Sequence, residues 1–367
     1  MASGPQRGAG LAVRPPVLPM LAKRIGELPG GEGWIFEPKW DGFRALVFRD
    51  RDECIVQSRD GKELNRYFPE VVGSLLAQLP ERCVLDGEIV VARGGALDFE
   101  ALQQRIHPAA SRVTLLARES PASIVFWDVL AEGDRDWQKS PFQDRRALLE
   151  TLLCAAHPPV HVTPATRDRS IATDWFDRFE GAGLDGVMAK AAAGTYEPNQ
   201  RVMFKVKHER ECDCAVGGFR WHKGGADTEI GSLLLGLHDP TGTLQHVGVC
   251  ANFSALKRRE LVGLLTPYRR DALVGHPWQH WAAPAHAANS RAPGAKSRWS
   301  QGKDLSWEPL RPELVAQVGY DHMQGTRFRH TAQFRRWRED KKPIECTFEQ
   351  LEVVAPHELA AIFAAGR

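Results

Sequence analysis

The stretch Phe36-Glu37-Pro38-Lys39-Trp40-Asp41-Gly42-Phe43-Arg44 sets one lysine among two carboxylates, a glycine turn and an arginine. A lysine nitrogen attacks phosphorus once its ammonium has lost a proton, and nearby cations or a metal ion favour that loss by disfavouring the charged amine. Far downstream, Met203-Phe204-Lys205-Val206-Lys207 adds two more cations. Strand alternation points both to one face, with Phe204 and Val206 on the other. Together these residues predict an anionic-ligand site with a lysine nucleophile.

Three further groups suit the same chemistry. Asp86-Gly87-Glu88 follows an apolar strand and fixes an acid beside a turn. Trp127 precedes Asp128 in another apolar strand, where its flat face suits a base and its bulk equally suits a core. Asp185-Gly186-Val187-Met188-Ala189-Lys190 supplies a third acid. No Gly-x-x-x-x-Gly-Lys-Ser/Thr run is present, which argues against P-loop ATPase chemistry, and no nucleophile-elbow signature supports a hydrolase.

The elements that must position these residues follow from periodicity. Residues 1–18, rich in Gly and Pro, read as a loose arm. Ala45 to Phe48 and Cys54 to Val56 read as neighbouring strands joined by Arg49 to Asp52. A helix begins at Pro69, with Phe68, Val71, Val72, Leu75, Leu76 and Leu79 at helical spacing. Strands are expected at Cys83 to Val91, Ile124 to Leu130, Leu184 to Lys190 and Val202 to His208, with helices at Phe142 to Cys154 and Thr173 to Glu180. Long helical crossovers do not follow each strand, so the sheet is mixed rather than continuously parallel. Past a boundary near 209–214 come short strands around Ala215 to Arg220, Ile230 to Leu237, Val247 to Val249 and Leu314 to Tyr320. A helix capped by Ser254 and a long excursion over 275–304 complete this half.

Composition is permissive. The 367 residues are 43% hydrophobic, enough for two cores. Lys and Arg number 48 against 46 Asp and Glu, a net charge of only +2, so total charge does not point to nucleic acid. The stretch from Arg327 to Lys342 is locally basic, which suits a phosphate backbone as well as a solvated face. Seven cysteines, an odd number, form no metal frame and no complete disulfide scaffold; Cys212 and Cys214 read as strand residues. No window has the apolar core of a signal peptide or membrane span, so a soluble protein of a reducing compartment is expected.

Lys39-Trp40-Asp41-Gly42-Phe43-Arg44 resembles the nucleotidyl-lysine motif of ATP-dependent DNA ligases, and from about Pro19 to Leu351 the chain resembles the small stand-alone bacterial ligases of the C type. The resemblance implies an α+β protein: a mixed-sheet nucleotidyltransferase domain over residues 1–210, then a β-rich OB-fold domain over 211–367. It implies that Lys39 carries AMP while Lys205 and Lys207 act at the transferring phosphate. Glu37 goes to the adenine end, Arg44 to ribose or phosphate, Glu88 to ribose and metal, Trp127 to the adenine face. Asp185 stands where many relatives have glutamate, a shorter reach toward the metal. Arg338 and Lys341, in Arg336-Trp337-Arg338-Glu339-Asp340-Lys341, match the motif that approaches pyrophosphate. Arg59 and Lys62 match an element near the nick phosphates. ATP and Mg²⁺ or Mn²⁺ are the implied cofactors and nicked duplex DNA the substrate. DNA-repair proteins are the implied partners of a monomer in the cytoplasm, associated with the nucleoid. An RNA ligase is the nearest alternative, because backbone phosphates alone do not distinguish the sugars; a capping guanylyltransferase resembles the first domain too, but the Arg338 to Lys341 pattern and the adjacent barrel favour a ligase.

Overall fold

The computed structural model describes residues 8, 10–223, 226–279, 306–351 and 357–364. Contacts divide the chain into two units, residues 1–207 with 354–367, and residues 208–353. The sequence division at 210/211 lies three residues further along and assigns the last segment to the barrel. In the structure the helix Leu359–Ala364 instead buries Leu359 and Ile362 in a core of the first unit.

The first unit is built on two sheets. In the seven-stranded sheet, Phe43–Asp50 lies between Glu53–Ser58 and Arg82–Arg93, and Arg82–Arg93 pairs on its other side with Ala122–Glu132. In the four-stranded sheet, Trp34–Pro38 and Arg201–Val206 flank Val187–Ala191, and Leu21–Arg24 joins Arg201–Val206 in parallel. Both sheets mix parallel and antiparallel pairs, as the absence of regular crossovers requires.

Alternation along Ala122–Glu132 explains how the sheets meet. Ile124 and Phe126 enter one core, beneath the helix Pro69–Gln78, with Val71 and Leu75. Val125 and Trp127 face the other way, into a core shared with Phe36, Val187 and Val206 of the four-stranded sheet. Trp127 is therefore placed between the sheets by strand parity. The helices Phe142–Leu152 and Arg169–Phe179 cover the expected segments within a few residues.

The amino-terminal segment departs from expectation. Instead of a loose arm, its described part buries Leu11 and Val13 against Met20, Leu46, Phe48 and Tyr196. Gln57 ties it down, accepting from the Val17 amide at 3.1 Å and donating to the Val17 carbonyl at 2.6 Å. Small residues there suit close packing as well as freedom.

The second unit is a closed barrel of five strands, Arg210–Trp221, Ile230–His238, Leu244–Ala251, Glu308–Tyr320 and Ala332–Trp337. Ser254 caps the helix Ala255–Arg269, accepting from the Lys257 amide at 3.2 Å. All seven cysteines are free; Cys212 and Cys214 are buried strand residues with sulfurs 3.7 Å apart. Most of the expected excursion, residues 280–305, lies outside the described residues. Its described start drives Trp278 into the barrel core.

Candidate active site

Lys39 follows directly on the strand Trp34–Pro38, and the backbone holds it against the opposite loop. Its amide donates to the Gly186 carbonyl at 2.8 Å, and the Asp185 amide donates to the Lys39 carbonyl at 3.0 Å. Gly186 has φ +127°, and a Cβ there would lie 2.1 Å from the Val206 carbonyl oxygen, so only glycine permits this approach. The side chains converge as a result. Asp185 Oδ2 lies 2.7 Å from Lys39 Nζ and 2.7 Å from Lys207 Nζ. Burial opposes the Asp185 charge, but Lys39 and Lys207 outweigh it and hold the carboxyl below its usual range. Lys205 completes the group. Burial, reinforced by the positive charges of Lys39 and Lys207, lowers its ammonium below the ordinary lysine value.

A second network surrounds Glu37, which is almost fully buried. Arg146 Nη1 donates to Glu37 Oε1 at 3.1 Å, and Lys190 Nζ forms an ion pair with Oε2 at 2.6 Å. Arg146 also donates to the Thr163 carbonyl at 2.6 Å, and the Thr163 hydroxyl accepts from the Trp40 indole at 2.7 Å. Burial lowers the Lys190 ammonium despite Glu37.

Arg44 grips Asp86 through two nitrogens, one at 2.5 Å, and Tyr196 donates its hydroxyl to the same carboxylate at 2.7 Å. Burial opposes the Arg44 charge, yet Asp86 raises its pKa. The guanidinium carbon lies 4.6 Å from the Trp127 ring centroid, a cation–π contact. Register pairs Arg44 with Glu88, whose Oε1 accepts from the Gly42 amide at 2.7 Å. Burial raises the Glu88 carboxyl above its ordinary value, against the pull of Lys39 and Arg44. A Cβ at Gly42 would lie 2.1 Å from the Ile89 carbonyl oxygen, so the glycine of the first motif permits this junction.

The remaining sequence candidates stand elsewhere. Arg59 and Lys62 project from an exposed turn closed by Ser58, whose hydroxyl accepts from the Lys62 amide at 3.0 Å. Ser58 pairs with Ala45, so the turn begins beside Arg44 on the edge of its sheet. Arg338 and Lys341 belong to the barrel, both within 2.9 Å of Asp213 Oδ2. The basic run from Arg327 to Lys342 is less basic in place than in sequence, because Arg335 pairs with Glu209 and Glu211 and Arg338 with Asp213 and Asp340.

Among the residues of these networks, Asp86, Arg146, Lys190, Tyr196 and Asp213 had no assigned role in the sequence. Asp86 and Lys190 sit inside segments already singled out. Arg146, Tyr196 and Asp213 reach partners 109 or more residues away, and nothing local marks them.

A lysine flanked by two further lysines between packed sheets, followed by a five-stranded barrel, defines a nucleotidyltransferase with an appended OB fold. Residues 19–207 match the family model described as the ATP dependent DNA ligase domain, and residues 226–341 that of the ATP dependent DNA ligase C terminal region. DNA ligase C2 of Mycolicibacterium smegmatis is 54% identical over 344 residues, covering 93% of this chain and 96% of that protein. DNA ligase C of Mycobacterium tuberculosis is 52% identical over 348 residues, covering 93% and 95%. A solved Lig E DNA ligase, described as binding DNA with a minimal scaffold, shares the fold at TM-score 0.53 and 19% identity, over 88% of this chain and 99% of that one. The chain belongs to the ATP-dependent DNA ligases. It is an enzyme that uses ATP to join a 3′-hydroxyl to a 5′-phosphate through a lysyl-AMP intermediate.

Proposed function

We propose that Lys39 is the lysine that carries AMP, and the convergence of Lys39, Lys205 and Lys207 around Asp185 is the observation that supports it. The Lys39 nitrogen, having given up its proton, attacks the α-phosphorus of ATP. An N–P bond forms, the bridging α–β P–O bond breaks, and pyrophosphate leaves. An oxygen of the DNA 5′-phosphate then attacks the lysyl-AMP phosphorus, breaking the N–P bond. Finally the 3′-hydroxyl, losing its proton, attacks the activated 5′-phosphorus and expels AMP. Charge develops around phosphorus each time, and stabilising it is the role of Lys205 and Lys207 in this reading.

Glu37, held from two sides by Arg146 and Lys190, serves the adenine end, with Trp127 at the base. Arg44, fixed by Asp86, serves ribose or phosphate. Arg338 and Lys341 serve the leaving pyrophosphate. Arg59 and Lys62 contact phosphates of the nicked strand.

The chain's donors fit a shared Mg²⁺ or Mn²⁺ site rather than a protein cage. Among the described residues no three of His, Cys, Asp and Glu converge, whereas Mg²⁺ is typically held by one or two carboxylates plus substrate phosphates. Glu88 and Asp185 are the carboxylates that would hold it. When bound, the ion neutralises the triphosphate charge. No helix among the described residues is long and apolar enough to cross a membrane. A monomer working at breaks and nicks in the cytoplasm, at the nucleoid and with repair proteins, is the setting that the C-type resemblance suggests.

Turnover on matched nicked duplexes of DNA, RNA and mixed strands tests the substrate. Preference for the DNA nick is expected, and preference for an all-RNA nick would overturn the reading.

A further inference from the structure

In the barrel one buried acid organises both cations of the carboxy-terminal motif. Asp213 lies in the strand Arg210–Trp221 between two buried cysteines and is only 7% exposed. Its Oδ2 accepts from Arg338 Nη1 at 2.9 Å and from Lys341 Nζ at 2.9 Å, partners 125 and 128 residues away. Oδ1 is buried without a hydrogen-bond partner. Leaving a buried carboxylate oxygen unpaired costs stability, so maximal stability alone does not account for the arrangement.

The backbone of Asp213 is fixed independently of its carboxylate. Its amide donates to Gln350 Oε1 at 2.8 Å, and Gln350 Nε2 donates back to the Asp213 carbonyl at 2.9 Å. Asp340 grips the other edge of Arg338 at 2.9 and 2.8 Å, but it is 66% exposed and its hold is screened by water. The firm anchor is Asp213.

Arginine and lysine lose much rotamer freedom when they must meet one anion together. We propose that Asp213 is a positioning residue that holds Arg338 and Lys341 as a ready pair, lowering the ordering cost at the moment pyrophosphate leaves. The inference rests on the pyrophosphate reading of those two cations. It confines the role of Asp213 to enzyme adenylation, because no pyrophosphate departs in the two later transfers.

The test uses the full chain carrying Asp213→Asn or Asp213→Glu. Asn keeps the shape and the Gln350 clamp but loses the charge, while Glu keeps the charge. Lysyl-AMP formation is timed across ATP concentrations, and sealing of a pre-adenylated nick is timed separately. Asp213→Asn is expected to slow adenylation about tenfold or more, with sealing of the pre-adenylated nick within about twofold and much of the loss recovered by Asp213→Glu. Equal losses in both assays would show a purely structural role and overturn the inference, as would no loss of adenylation. Arg338→Ala separates the two readings. If it leaves adenylation intact, the pyrophosphate assignment fails and the inference with it; if it slows adenylation while Asp213→Asn does not, the Asp213 inference alone fails.

Discussion

In the first unit Asp185 Oδ2 lies 2.7 Å from two lysine nitrogens, and in the barrel Asp213 Oδ2 lies 2.9 Å from an arginine and a lysine nitrogen. Both acids use one oxygen for two cations, yet their surroundings differ. Asp185 is set by backbone bonds to Lys39 and by a glycine that no other side chain can replace. Asp213 is set by a glutamine side chain, and one of its cations is shared with an exposed second acid. The first arrangement ties the acid to Lys39 Nζ, the proposed reacting nitrogen. The second assembles two charges proposed to act on the leaving pyrophosphate, so its effects should be confined to one step.

Removing a cation from the first set should therefore hurt more than removing the acid from the second. Lys207→Ala is expected to lower the rate of lysyl-AMP formation at saturating ATP by about 10²–10³-fold, the scale of losing one donor to developing charge. Rapid-quench kinetics measure this, and an unchanged rate would break the contrast between the two sets.

Asp185 also gives a pH signature. Its folded-state pKa is held below the ordinary aspartate value by Lys39 and Lys207 against the effect of burial. A depressed carboxylate contributes stability that is present above its unfolded pKa of about 3.9 and is lost as pH falls through the lower folded value. Asp185→Asn should flatten that part of the acid limb in denaturation measured from pH 5 downward. An acid limb as steep as in the parent protein would remove the assigned cause.

A smaller effect is expected where the chain returns to the first unit. Phe363 stacks on Trp40 at 5.2 Å and on His161 at 3.8 Å, ring centroid to centroid. Phe363→Ala should cost about 1–2 kcal/mol of first-unit stability, read by denaturant titration of tryptophan fluorescence. No change would show that the helix Leu359–Ala364 contributes little to that unit.

Much of this was legible in the sequence because chemistry clusters locally in it. Lys39, Arg44, Glu88, Asp185, Lys205 and Lys207 each sit in a short run whose residue types already state a purpose, and the strands carrying them alternate cleanly. The barrel was less legible, since its longest strands, Arg210–Trp221 and Glu308–Tyr320, shift register between Val216 and Gly218, and closure depends on pairing across the whole unit. Two helices, Phe99–Gln104 and Ala110–Glu119, drew no expectation; the first is short and half of the second is polar. The acids and bases that hold the site, Arg146 and Asp213 above all, were silent because their partners come from distant segments. The carboxy-terminal return was hidden for the same reason: a six-residue helix has no period to read, and only its packing shows where it belongs.

In the proposed reaction Lys39 takes AMP covalently from ATP. Incubating the purified chain with ATP labelled at the α-phosphate and a divalent cation, then mapping the label by peptide mass spectrometry, tests it directly. One labelled site is expected, at Lys39, released as AMP on adding nicked DNA and lost in Lys39→Ala; label retained by Lys39→Ala, or mapped to another lysine, would overturn the assignment.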